Sequence, residues 1–303
     1  MHQRAVSISI GSIKRDKTVE IKLFGKTISL ERIGTDGDMK AASDLYRKLD
    51  GKVGALGVGG AVLGLLVDKD WYDFHSILPL VKDVKKTPLV DGTGLKSKLE
   101  SKAAEVIAPY LNGQPKRVLQ MSAVDRYGLS QGFVECGFES VFGDLMFGLG
   151  LPLPIRSERV LKRIARLLMP VVSRMPFGWL YPSGEKQDIR TPKYVEYFQW
   201  ASVISGDCHY ITKYMPDDLS GKIIVTNTTT EEDREMFKKA GARLLVTTTP
   251  VLDGRTFGTN LIEAGIITAR GWQEAVDYRS ADYYQKMEAA VEELELTPQV
   301  TEL

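Results

Sequence analysis

Two short apolar runs, residues 223–225 (IIV) and 244–246 (LLV), each end in a cluster of threonines. Between them, residues 231–240 alternate charged and apolar positions at helical spacing, and Gly241 follows as a stop. Strand, polar loop, helix, strand, polar loop is the order of a parallel α/β sheet. Ligands of such sheets bind beyond the carboxyl ends of the strands, where the hydroxyl-rich loops lie.

The same pattern analysis extends upstream. Alternating or β-branched residues predict strands at 5–10, 18–24 and 27–33, with Gly11 and Gly25 making two hairpin-like turns. Asp38 caps a predicted helix to Leu49, with Met39, Ala42, Leu45, Tyr46 and Leu49 on one face. A strand at 53–56 runs into Gly57-Val58-Gly59-Gly60, which reads as a tight turn. A phosphate loop there would need a helix next, and the following residues predict a hairpin, 63–67 and 71–74. Residues 87–111 predict a strand, a Gly-rich turn and a helix, and Asn112-Gly113 with Pro115 closes a first domain at residue 113.

The second domain, 114–303, opens with a strand at 117–122, a helix through Cys136 and a strand at 140–142. A buried Gly-rich turn is expected at 145–153. A basic helix from Ser157 to Val172 and proline-broken residues beyond it form a helical insertion, about 157–200, and a helix is expected at 281–296 near the C-terminus. The predicted class is α/β: a mixed N-terminal domain followed by a Rossmann-like parallel-sheet domain.

Composition narrows the class further. A chain of 303 residues is long for one hydrophobic core, and 43% hydrophobic with 26% charged residues is ordinary for a globular protein. Forty basic against thirty-nine acidic residues exclude a global drive toward nucleic acid. Cys136 and Cys208 lack CxxC spacing, which argues against a disulfide framework or structural zinc and fits a reducing compartment. With no signal-peptide pattern and no window of about 20 apolar residues, a soluble cytoplasmic protein is expected.

Candidate chemistry concentrates at predicted strand ends. Residues 118–144 have the parts of a first Rossmann unit, with Asp144 spaced to hold ribose hydroxyls. Ser122, Asp125, Arg126 and Gly128 occupy the place of the glycine fingerprint and are the cofactor-loop candidates; Asp125-Arg126 as a structural ion pair is the competing reading. Asn227, Thr228, Thr247, Thr248 and Thr249 are neutral donors and acceptors suited to a nucleotide or polyol, while Thr229 or Thr230 serves as a helix cap. Asp207, Cys208 and His209 close a predicted strand; His209 is an acid/base candidate beside a substrate-binding Asp207, and a structural histidine is the competing reading. One Asp-Cys-His run cannot wrap a metal ion, so no metal site is predicted. Arg255 and Asn260, in a polar turn at 253–260, are further substrate-binding candidates, Arg255 for an anionic group. Asp91 and Lys96 flank a Gly-rich turn and can together bind a substrate and move a proton. The basic helix, with Arg156, Arg159, Lys162, Arg163, Arg166 and Arg174, has the composition of a helix lying on an anionic membrane, but a packed helix with its cations toward water explains it more simply.

The segment DDLSGKIIVTNTTTEEDREMFKKAGARLLVTTTPVLDG, residues 217–254, resembles the late Rossmann half of the quinate/shikimate dehydrogenase family. The resemblance implies a substrate domain first and a nucleotide domain second, with NAD or NADP as cofactor. It also implies a lysine and an aspartate on the substrate side, for which Lys96 and Asp91 are the nearest residues. The chain departs from the family at its phosphate loop: GVGGA falls at Gly57, in the first domain, and Ser122 to Gly128 supplies no replacement glycines. The expectation is an NAD(P)-linked oxidoreductase of a small hydroxylated carboxylic acid. A transferase or lyase, or a non-catalytic metabolite-binding protein, is the alternative, and a homodimer is left open.

Overall fold

The computed structural model describes residues 3–176, 178, 190–249, 251–252, 255–272 and 277–303, without side chains for 251, 252, 255 and 256. The chain forms two compact units that do not follow chain order: residues 1–98, 169–181 and 250–296 make the first, and 99–168, 182–249 and 297–303 the second. The first crossing falls at Lys98–Leu99, while Asn112 and Gly113, both at positive φ, end a helical stretch inside the second unit.

The first unit is built on a five-stranded sheet in the order β2-β3-β1-β4-β7. Its strands are β1 (Arg4–Ser9), β2 (Lys17–Leu23), β3 (Lys26–Gly34), β4 (Ala55–Gly59) and β7 (Leu89–Val90), and β5 (Gly64–Val67) pairs with β6 (Asp70–Asp73) as a separate hairpin. Gly25 does turn the hairpin between β2 and β3. The expected hairpin at Gly11 is absent, because β1 pairs in parallel with both β3 and β4 and so lies at the sheet's centre. The helix Met39–Leu49, capped by the Asp38 side chain, carries the chain from β3 to β4. Its buried Tyr46 hydroxyl lies 2.9 Å from the Ile8 carbonyl and 3.1 Å from that of Gly57, tying β1 to β4.

Gly57 and Gly59 are not a turn; they lie within β4. A Cβ on Gly57 would come within 2.9 Å of the Asn260 carbonyl, at the start of the helix Thr259–Arg270. The glycines thus let a helix cross the strand at close range. That helix is buried at every position from Leu261 to Ala269. The C-terminal helix Ala281–Glu293 also belongs to this unit and buries Tyr283, Tyr284, Met287, Ala290 and Val291.

The second unit is a doubly wound sheet. Strands β8 (Arg117–Gln120), β9 (Glu139–Phe142), β10 (Val203–Ser205), β11 (Ile223–Thr226) and β12 (Leu244–Thr247) run parallel in the order β9-β8-β10-β11-β12. Alternate strand residues enter different cores. Leu119, Val141, Ile204, Ile224 and Leu245 pack with Phe198, Ile211 and Phe237; Val118, Val203, Ile223, Val225, Leu244 and Val246 pack with Ala103, Ile107, Leu129 and Phe133. Burial on both faces is why these strands read as continuous apolar runs. The edge strand Gln299–Glu302, not anticipated from its polar sequence, pairs antiparallel with β12.

The stretch expected to be a buried turn at 145–153 is half wrong. Met146 and Phe147 are buried within the turn Asp144–Gly148, but Leu149, Leu151 and Leu153 are exposed. The expected strand end at Asp207 is also corrected: β10 stops at Ser205, and Asp207 caps the helix Cys208–Tyr214 by accepting the His209 amide.

Candidate functional site

Taking the parallel strands of the second unit in chain order, the sheet is ordered 2-1-3-4-5, so connections leave in opposite directions from β8 and β10. Such a switch point opens a crevice beyond the two strand ends. Parallel register sets Gln120 beside Ser205 and Phe142, Ser205 beside Val225, and Thr226 beside Thr247. The loops that start at Met121, Gly143, Gly206, Asn227 and Thr248 therefore share one edge. Gly206, at φ 155°, lies against Ser122: a Cβ there would be 3.6 Å from the Ser122 hydroxyl and 3.1 Å from Met121 Cβ. The β8 and β10 loops thus meet.

Arg126, just before the helix Tyr127–Glu135, is the centre of this edge. It is only 5% exposed. One guanidinium nitrogen pairs with Glu100, itself 2% exposed, and another donates to Asp207 Oδ2 at 3.1 Å. Burial opposes the cation, but Glu100, Asp207 and Asp125 outweigh it and hold the guanidinium charged. Burial likewise pushes Asp207 upward; Arg126, the His209 amide and the His209 side chain together bring it below the ordinary carboxylate range. Asn227 donates to Asp207 at 2.9 Å and accepts the Cys208 amide at 3.2 Å, so the β11 loop is tied to the same cluster.

Several buried polar atoms near these strand ends have no hydrogen-bond partner among the described residues: Glu100 Oε2, Arg126 Nε, Ser122 Oγ, Ser205 Oγ and Asp144 Oδ2. Buried polar groups are normally paired, by ordered water where no protein group is at hand. Asp144, next to the end of β9, accepts the Val124 amide at 2.8 Å, and burial raises its carboxyl to about 6 against the pull of the Val124 and Ala123 amides. The Val124 loop amide is thereby committed to a carboxylate of the chain itself.

The remaining candidates divide between local and shared roles. Thr228 and Thr249 hydroxyls bond each other at 2.7 Å, and Thr248 donates to the Thr226 carbonyl at 3.3 Å and reaches Glu100 at 3.5 Å. Thr247 closes β12. Thr230 forms a reciprocal cap with Asp233, as one of the two capping readings required. Gly128 is buried in the first turn of the helix Tyr127–Glu135, and Asp125 is exposed beside Arg126. His209 is exposed, two residues past the Asp207 cap. Burial pushes the Cys208 thiol well up, which disfavours a thiolate nucleophile.

Asp91, Lys96, Asn260 and Arg255 belong to the first unit. Asp91 is buried; its carboxylate takes the Leu63 amide at 2.6 Å and the Thr93 amide at 2.9 Å, closing the turn before the helix Thr93–Ser101. Burial raises Asp91, and Lys96 pulls it back, so the two do interact electrostatically. Asn260 donates to the Val58 carbonyl at 2.5 Å, a packing role. Arg255 lies in a two-residue strand, and its side chain, with Asp253 and Gly254, is outside the described residues. Sequence reasoning missed Glu100, Ser205 and, in the first unit, Glu263. The last left a signal, a lone acid in the apolar run LIEAGII; Glu100 and Ser205 left none.

The protein is thus a two-unit α/β protein whose second unit carries a Rossmann-like parallel sheet with polar side chains at its switch point. It belongs to the family described as a domain of unknown function (DUF8754), which matches residues 94–303, and residues 4–91 match a second domain of unknown function (DUF8753). No curated protein matches the sequence. Among solved structures, the NAD-dependent malic enzyme of Thermotoga maritima aligns over 95% of this chain and 83% of its own, at 13% identity and TM-score 0.36. The Entamoeba histolytica malic enzyme aligns over 86% of this chain at 10% identity and TM-score 0.34, and the present chain spans 66% of its length. A galactofuranose binding protein aligns over 96% and 98% of the two chains, at 12% identity and TM-score 0.37. These likenesses are too distant to assign an activity.

Proposed function

We propose that the second unit binds a small, hydroxyl-rich metabolite in the crevice beyond β8 and β10. The observation that carries this reading is the buried Arg126, held between Glu100 and Asp207 among unpartnered polar atoms. One cation between two carboxylates leaves a net negative charge, and Asp125 and Asp144 add to it. Such an edge repels phosphate and favours ligands that donate hydrogen bonds, as polyols and sugars do.

A second reading is the NAD(P)-linked oxidoreductase of a hydroxylated carboxylic acid suggested by the quinate/shikimate dehydrogenase resemblance. It is favoured by the position of Asp144, beside the end of the second strand, where a ribose-binding acid belongs. Against it stands the Val124 amide of that loop, already bonded to Asp144. A thermal-shift screen separates the two. Neutral polyols and sugars are expected to raise the melting midpoint in a concentration-dependent way, since a ligand of the native state alone stabilises it. NAD and NADP at millimolar concentration are expected to leave it unchanged. A shift with either nicotinamide and none with any polyol would reverse the assignment.

A further inference from the structure

The large apolar side chains exposed among the described residues are concentrated in one stretch of the second unit. Leu149, Leu151 and Leu153 follow the turn Asp144–Gly148, and Val160 and Leu167 lie on the helix Glu158–Val172; their exposures run from 43% at Val160 to 75% at Leu167. The stretch is fixed in place. Phe142 and Ile155 exchange backbone hydrogen bonds of 2.8 and 3.1 Å, and both pack with Ala123 and Leu161 in a small core.

The helix turns Leu161 and Ala165 inward, while Arg159, Val160, Arg163, Arg166 and Leu167 are exposed. Its one acid, Glu158, is engaged by the Tyr127 hydroxyl at 2.7 Å and by Lys162 at 2.9 Å. The outward face therefore combines apolar side chains with arginines and no helix carboxylate. A packed helix with cations toward water, the simpler expectation from sequence, does not account for a leucine 75% exposed on the helix and three exposed leucines on the preceding loop. Among the described residues no helix is long and apolar enough to cross a membrane.

We propose that this face docks on the surface of an anionic lipid membrane. Charge complementarity selects that occupant: the arginines meet lipid phosphates while Leu149, Leu151, Leu153, Val160 and Leu167 enter the boundary between headgroups and acyl chains. The proposal is independent of the ligand assigned to the crevice.

Co-sedimentation of the full chain with phosphatidylcholine vesicles, with and without phosphatidylglycerol, tests it. Binding is expected only with phosphatidylglycerol and is expected to weaken as salt rises. Arg163→Gln should lower the partition about fivefold, the share of one arginine near an anionic surface. Leu167→Asp should abolish it with the melting temperature unchanged, because the side chain is already largely in water. Absence of binding to phosphatidylglycerol vesicles, or binding that Leu167→Asp leaves intact, overturns the proposal. So does a dimer in sedimentation velocity that Leu167→Asp dissociates while wild-type protein ignores vesicles, since a second copy would then cover the face.

Discussion

Glu263 places a carboxyl group in the middle of an otherwise apolar helix, 1% exposed. It accepts the Leu95 amide at 2.9 Å and lies in hydrogen-bond contact with the Tyr283 hydroxyl. Burial, and then the nearby Asp91, raise it from 4.5 to about 8. Between those values the folded protein holds a proton that the unfolded chain has lost. This contribution to stability is therefore complete below about 4.5 and is lost as pH rises to about 8, at roughly 1.4 kcal/mol per pH unit. Glu263→Gln keeps the shape without the titration. Urea denaturation at pH 5 and pH 8 should show wild-type stability falling more steeply than the variant's, which keeps the slope of the other titrating groups, the raised Asp144 among them. Parallel curves would show that the carboxyl is charged throughout. The acid could be seen in the sequence as an interruption of an apolar run. Its pairing with Asp91 could not, because the two lie far apart in the chain and meet only through the fold.

Glycines show the same division at the scale of elements. Gly132 stands in the middle of the helix Tyr127–Glu135, where propensity alone favours alanine by about 1 kcal/mol. A Cβ there would run into the Ser101 carbonyl. Gly132→Ala should therefore destabilise the protein by roughly 2 kcal/mol net, an overpacking cost exceeding the helical gain. Denaturant titration decides it; a stabilised variant would show that the helices have room to separate. The elements easiest to read were those with a strong period and their own stop signals, such as the helix Met39–Leu49 with its Asp38 cap and the helix Glu231–Lys239 with its capping box. Strand pairing was harder. Nothing local in AVSISI distinguishes one arm of a hairpin from the central strand of a parallel sheet, and Gln299–Glu302 is an edge strand without an apolar face. Thr228, Thr247, Thr248 and Thr249 read as ligand contacts from sequence, yet Thr228 and Thr249 satisfy each other.

At the scale of the molecule, what the sequence could not convey is which unit each element joins. The chain leaves the second unit at residue 250 and returns at 297, so Arg255 and Asn260 do not belong to the unit that holds Asp207 and Asn227. Local periodicity records that a helix is amphipathic and not which sheet it covers. Parallel βα order does place the ends of β8, β10, β11 and β12 along a shared edge. What gives that edge its chemistry is Arg126 held between Glu100 and Asp207, with Ser122 at the contact of the β8 and β10 loops. Ser122→Ala removes a buried hydroxyl that has no hydrogen-bond partner among the described residues, so the unliganded variant should be as stable as wild type or slightly more so. Isothermal titration of both proteins with the polyol or sugar giving the largest thermal shift is the most direct test. The predicted result is a loss of affinity of roughly three- to tenfold in Ser122→Ala, the worth of about one hydrogen bond. Equal affinities, or no heat of binding from wild-type protein with any hydroxylated ligand, would contradict a ligand crevice at this switch point.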